Sequence, residues 1–249
     1  MTATLPSARR TSAGAGDRVC TGFISTSTTS LVAGQRGEQC RWTPRPRPMA
    51  AGDVVLRVET LVRATGAKEL LLRLAEHAHV VVLGSRGLGS IGSLALGSIS
   101  VAVASGANTP VVVVRTPGAG IPHPRRIVVG ADGTAASAAA LEFAFAQASA
   151  RSVPLNVVHC SDERDPEVEG LRLAESVAGL QEKFIDVAAT FEIVHGRADR
   201  YLVHASGDSD LVVVGARGHH GPAAALLGSV SQLVVERSSC SVAVVVGPR

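Results

Sequence analysis

Residues 210–231 read Asp210-Leu-Val-Val-Val-Gly215-Ala-Arg217-Gly218-His-His-Gly-Pro-Ala-Ala-Ala-Leu-Leu-Gly228-Ser229-Val230-Ser231: an apolar run, a glycine loop and a Gly-Ser pair. The same grammar stands upstream, where His79-Val-Val-Val-Leu-Gly84 leads to Gly87 and then, after nine intervening residues, to Gly97-Ser98. The two copies are in register at an offset of 131 residues. Each is closed by a second apolar run, Val111-Val-Val-Val114 or Val242-Ala-Val-Val-Val246. The pattern predicts strand, glycine loop, helix and strand, twice. Glycines just past a strand let the backbone approach a ligand without interference from Cβ, and a helix opening on Gly-Ser presents free N–H groups and a hydroxyl. Phosphate is the ligand class that such a loop suits.

The repeat divides the 249 residues into two units. An apolar content of 46% with only 3% aromatics points to a core of Val, Ala and Leu, as in parallel strands buried on both faces. The net charge of +3 is unevenly placed: residues 1–50 hold seven arginines against Asp17 and Glu38, which leaves the remainder at about −2. The basic character therefore belongs to the tail, and the rest shows no basic stripe interleaved with aromatics to suggest nucleic acid. Cys20, Cys40, Cys160 and Cys240 form no C-x-x-C pair, which argues against a zinc site or a disulfide framework and for a reduced cytoplasmic setting. Arg9-Arg10 is followed by no apolar segment, and no run reaches the ~18 apolar residues of a membrane helix.

Residues 1–50, rich in Ser, Thr, Gly, Arg and Pro, are expected to be a disordered tail that folding does not need, with 19–25 a weak strand candidate. The second unit, 124–249, is complete: strands are expected over 126–131, 155–160, 187–194, 211–215 and 242–246, and helices over 135–152, 166–183, 198–206 and 229–238. Leu141, Phe145 and Ala148 share a face of the first helix, as do Leu173, Val177 and Leu180 of the second. The first unit, 51–118, matches only the latter half of this pattern, and nothing before it corresponds to the strand and helix at 126–152. The two valine runs at Val111–Val114 and Val242 to Val246 are expected to pair, within one chain or between two, because either would otherwise expose a row of unpaired backbone groups.

The doubled glycine spacing resembles the nucleotide-binding signature of the universal stress protein family. Ile127-Val-Val-Gly130-Ala-Asp132-Gly-Thr134 is similar to that family's first strand and acidic loop, and Val157-Val-His159 to its second strand. The resemblance covers the second unit in full and the first in part. It implies an α/β fold with a doubly wound, five-stranded parallel sheet of flavodoxin-like order, one copy incomplete and one complete. It also implies adenine-nucleotide binding and pairing through the last strand. Carried onto this chain, Gly130 and Asp132 meet the adenosine end and Cys160 lies beside the base, where the family often has an aliphatic residue. Val214, Gly215, Arg217 and Gly218 border ribose and phosphates, and Gly228, Ser229, Val230 and Ser231 hold the terminal phosphates. The implied cofactor is ATP, with or without Mg²⁺.

Several features compete with that reading. Ser229 with Gln232 three residues on makes a capping box, so the serine could serve the helix's own N–H groups. Gly87-Leu-Gly89-Ser-Ile-Gly92 matches a dinucleotide fingerprint, but no Asp or Glu stands between Glu76 and Asp132 to hold ribose. The first unit likewise offers no counterpart of Asp132. His219-His220 fits a solvated loop, and without a Walker lysine, a placed base or a carboxylate pair, catalysis is not expected. Three function classes follow: a nucleotide-dependent stress-response module, a dimerisation and regulatory protein whose glycine loops are purely structural, and, more weakly, an enzyme that uses the nucleotide site to adenylate a substrate.

Overall fold

The computed structural model describes residues 19–25, 29–35, 57–63, 66–85, 97–115, 125–133, 135–161, 166–216 and 227–247. The Arg-Pro segment around Trp42, the loop holding Gly87 to Gly92, and the positions Arg217, Gly218, His219 and His220 lie outside them.

In chain order the first unit runs β1 (Val19–Ser25), β2 (Thr29–Gln35), β3 (Arg57–Arg63), α1 (Ala67–Ala75), β4 (Val80–Gly84), α2 (Ser98–Gly106) and β5 (Val111–Val114). The second runs β6 (Ile127–Gly130), α3 (Ala135–Arg151), β7 (Leu155–Ser161), α4 (Pro166–Lys183), β8 (Ala189–His195), α5 (Ala198–Ala205), β9 (Leu211–Gly215), α6 (Ser229–Arg237) and β10 (Ser241–Val245). β-Branched runs bounded by turn residues give the strands, and helical spacing of apolar residues gives the helices between them. In α3 the expected face is fully buried at Leu141, Phe145 and Ala148, and the Phe145 ring stacks on Phe184 beyond α4 at 5.9 Å between centroids. Burying Leu141 and Phe145 stabilises the fold by about 1.5 to 3 kcal/mol each.

All the described strands belong to one ten-stranded sheet of order β3-β1-β2-β4-β5-β10-β9-β6-β7-β8. The second unit is parallel and doubly wound, as the resemblance implies. Counted within the unit, its order is 3-2-1-4-5, which departs from the 2-1-3-4-5 of a flavodoxin. The reason lies in β8: its Thr190, Phe191 and His195 are exposed, so this strand suits the sheet edge and not a place beside the buried β6.

β5 and β10 are antiparallel neighbours, with Val113 opposite Val242, Val112 opposite Ala243 and Val111 opposite Val244. One apolar cluster consequently runs through both units, from Leu71, Val81 and Val103 to Val212, Val234 and Val242. The other face is covered unequally. α3 packs on β6, β9 and β10 and closes Leu211, Val213, Ala243 and Val245 from water. The corresponding Val80, Val82 and Val112 of β4 and β5 are half-buried, and Val114 is exposed.

The composition of residues 1–50 does not anticipate what β1 and β2 do. β2 pairs in parallel with β4, Ser30 opposite Val80, just as β6 pairs with β9, Ile127 opposite Leu211. β2 therefore takes the place of a first strand, and by register Gln35 stands where Asp132 stands in the second unit. The position lacking a counterpart in the sequence reading is filled, although by an amide. β1 takes the place of a second strand but runs in reverse, because a three-residue link at 26–28 can only turn a hairpin, whereas α3 carries the chain back for parallel entry at β7. The incomplete unit is thus completed in its strands by the segment expected to be dispensable.

That correction inverts the expectation for a truncation. Deleting residues 1–50 removes both strands between β3 and β4, and the chain should lose about 5 °C or more in melting temperature, since 1 kcal/mol moves a domain of this size by about 2 to 4 °C. Differential scanning calorimetry of the truncated and full chains decides it; coincident transitions would mean that β1 and β2 contribute nothing to stability.

Candidate nucleotide site

In an open α/β sheet a crevice forms where successive connections leave to opposite faces. Here α3 leaves β6 on one face and α6 leaves β9 on the other, so the switch lies between the carboxyl ends of these adjacent strands. Register brings most of the expected residues to that place. Gly130 ends β6 opposite Val158 of β7, so Asp132 and Cys160 stand two residues further on at the same level. Val214 and Gly215 end β9, and Gly228 to Ser231 form the first turn of α6.

The acidic loop is held by its neighbour strand. Ala131 donates its N–H to the Val158 carbonyl at 2.9 Å, and the His159 ring, through Nδ1, donates to the Ala131 carbonyl at 2.8 Å. That contact fixes the proton on Nδ1. Gly133 then takes φ +73°, a left-handed turn that glycine adopts without strain, and leaves the half-buried Asp132 at the bend. Gly130 is small for a reason of packing: a Cβ there would lie 2.9 Å from Leu202 Cδ1 of α5.

The strand-to-helix side, where phosphate is expected, has the same two hydrogen bonds in both copies. Gly228 donates its N–H to the Ala216 carbonyl at 2.9 Å, and Ser231 Oγ donates to the Gly215 carbonyl at 2.5 Å. Upstream, Gly97 meets the Ser85 carbonyl at 3.1 Å and Ser100 Oγ the Gly84 carbonyl at 3.0 Å. Ser231 is buried and its only hydroxyl proton is committed, so it ties the helix to the strand end and is not a phosphate donor. Ser229 is exposed, and the capping box does not form: Gly228 is the N-cap with no side-chain cap, while Gln232 Nε2 turns away to Glu236 Oε1 at 2.9 Å. The first turn of α6 therefore keeps N–H groups that no side chain caps, the donor set an anion requires.

Around the place where the resemblance puts a base, it singles out only Cys160. The structure adds a polar patch on the same side of β7 and β8. Glu192 Oε2 accepts from Tyr201 Oη at 2.7 Å and from Asn156 Nδ2 at 3.1 Å, and Arg197 grips the buried Asp199 at 3.0 and 2.8 Å. Polar residues inside valine strands were the available signal. The Arg197 hydrogen bonds hold the Asp199 carboxyl below the usual carboxylate range. Burial, aided by Glu192 and the Tyr201–Glu192 hydrogen bond, pushes the Tyr201 phenol up to about 12. Burial first, then the Glu192 and Asp199 charges, pushes the Cys160 thiol up to about 11. Among the described residues no group of three His, Cys, Asp or Glu side chains is gathered to hold a metal, and no helix is long and apolar enough to cross a membrane.

A family model described as the universal stress protein family matches residues 30–115 and again residues 123–246. This chain belongs to the universal stress protein family. The first match begins inside β2, in keeping with the place of that strand in the sheet. Universal stress protein Rv2005c of Mycobacterium tuberculosis is 38% identical over 188 residues, 70% of this chain and 64% of that protein. Universal stress protein Rv2623 of the same organism is 34% identical over 193 residues, 72% of this chain and 65% of that protein. The chain thus spans just under two thirds of the length of these curated relatives. The crystal structure of a universal stress protein from Archaeoglobus fulgidus superposes with a TM-score of 0.56 at 23% identity, over 72% of this chain and 65% of that one, which speaks for the shared fold.

The raised thiols generate a reactivity prediction. Cys240 is pushed up to about 12, chiefly by burial, so with Cys160 at about 11 neither forms thiolate near neutrality. In the folded protein at pH 8 both should be alkylated by iodoacetamide at least ~10-fold more slowly than in urea, as followed by mass spectrometry of their peptides. Because the folded thiols are the weaker acids, they contribute stability that is fully present below the ordinary thiol range and is lost as pH rises toward 11 to 12.

Proposed function

We propose that the second unit binds an adenine nucleotide, ATP with or without Mg²⁺, in the crevice between β6 and β9, and that occupancy alters the conformation or partner choice of a cytoplasmic stress-response module. No bond-breaking step belongs to this reading. The observation that carries it is the opposition of two ready-made ends at one switch point. Asp132 stands at one bank, and the side-chain-uncapped first turn of α6 at the other, with Gly215 between them. The helix end favours an anion by about 0.3 to 1 kcal/mol through its dipole, and charge-assisted hydrogen bonds add to it. Ser229 supplies an exposed hydroxyl at the same end. Arg217 and Gly218, in the loop between, belong to the proposed site by family resemblance. Pairing of the valine strands β5 and β10 within the chain would carry the response onward.

A second reading has its own support. Gly228, Ser231 and Gly130 each have a structural task, and the first copy repeats two of these tasks with Gly97 and Ser100. A purely structural loop in a dimerisation or regulatory protein needs nothing more.

Titration calorimetry with ATP separates the two. Gly228 has φ −59° and ψ 153°, a conformation open to valine, so Gly228→Val should keep the fold while placing a branched side chain against the phosphates. It should abolish measurable binding. Asp132→Ala should weaken binding about 10-fold, the equivalent of about 1.4 kcal/mol. Gly97→Val, in the unit with Gln35 in place of the acid, should leave the affinity unchanged. Loss of binding in Gly97→Val with retention in Gly228→Val would move the site to the first unit, and no heat with the unaltered chain would favour the structural reading.

A further inference from the structure

Both ends of α6 are held, and by different units. At its amino end the Gly228 and Ser231 hydrogen bonds fix it to β9. At its carboxyl end the holder is Arg115, the residue after β5 in the first unit. One terminal guanidinium nitrogen of Arg115 donates to the carbonyls of Val235 and Glu236, each at 2.8 Å, and its backbone N–H meets Ser241 Oγ at 3.3 Å. These carbonyls belong to the last turn, which has no intrahelical donors, and a cation there also complements the negative helix end.

The clasp runs one way. At the offset of 131 residues the counterpart of Arg115 is Val246, whose side chain has no donor to offer α2. The helix that carries the proposed phosphate turn is therefore gripped by the other unit, and among the described residues no such grip on its twin α2 is seen. α6 is only nine residues, about 13 Å, and behaves as one rigid piece. An axial shift of about 1 Å at its amino end would be felt in full at the Arg115 contacts, which tolerate little stretch beyond hydrogen-bond range.

We propose that Arg115 is a positioning residue for the nucleotide. It sets the axial seat of α6 from the first unit and so couples occupancy of the crevice to the seam between β5 and β10. This rests on the nucleotide reading above. Coupling of this kind is reciprocal: if Arg115 aids binding, nucleotide must in turn tighten the Arg115 contacts and the strand that carries them.

The test uses the full chain, unaltered and as Arg115→Ala and Arg115→Lys, with ATP as the ligand. Affinity is read by titration calorimetry, and protection of the β5 and β10 amides by hydrogen exchange with and without saturating ATP. Arg115→Ala should bind ATP about 5-fold more weakly, about 1 kcal/mol at 1.4 kcal/mol per tenfold. ATP should slow exchange along β5 in the unaltered chain and leave it unchanged in Arg115→Ala. Arg115→Lys keeps the cation and its donors on a shorter stem, without the planar guanidinium, and should fall between them, which also guards against a folding defect in the alanine variant. A lowered melting temperature with unaltered affinity and an intact ATP effect on β5 would make Arg115 a mere structural staple and overturn the proposal while leaving the nucleotide reading in place. No ATP binding by the unaltered chain overturns both.

Discussion

A sheet built of valine must be covered on both faces and closed along its edges, and the rest of this structure follows from how each demand is met. Valine has no polar atom with which to tolerate water, and an open edge leaves a row of unpaired backbone groups. Joining β5 to β10 removes two edges at once and merges the cores of two units into a single cluster. The remaining edges fall on β3 and β8, and β8 carries polar residues suited to that position. Where α3 covers the far face, the valines beneath it are sealed; where no corresponding described helix exists, over β4 and β5, they stay half-open.

The seam also explains why two copies of one loop need not have one role. The two hydrogen bonds that tie the strand end to the following helix are the same in both, and such a tie serves the fold whatever the loop binds. What differs lies outside the loop. The second copy faces an acidic bend pinned by His159 and a half-buried thiol, whereas the first faces a strand ending in Gln35. Electrostatic character at the crevice is set by the neighbouring strand, so the glycine signature alone does not distinguish the copies.

The use of the amino-terminal segment is a lesson in what composition measures. A composition of Ser, Thr, Gly and Arg, as in residues 1–50, measures whether a segment can build a core of its own. A strand, however, can be stabilised by the edge it joins. β2 docks on β4, which already has its own covered face, and β1 and β3 follow by hairpin-like pairing. The order β3-β1-β2-β4-β5 then mirrors β8-β7-β6-β9-β10 in position, with β1 alone reversed in direction.

The sequence by itself determined the elements of the second unit to within a residue or two, the doubled loop and the valine strands at the seam. These are local properties, carried by hydrophobic period and by glycine, and they need no knowledge of distant residues. It placed Gly130, Asp132, Val214, Gly215 and the Gly228 turn at strand and helix ends, where the fold does put them. Only the tertiary structure decided that Ser231 is spent on Gly215, that Gln232 turns to Glu236, and that Glu192, Tyr201 and Asn156 meet beside Cys160. It alone showed that the outermost place in the second unit belongs to β8, that Gln35 reaches the level of Asp132, and that Arg115 grips a helix 120 residues away in sequence. Each of those outcomes depends on which strands become neighbours, and neighbours in a parallel sheet are chosen by burial summed over the whole core, a quantity that no local pattern contains.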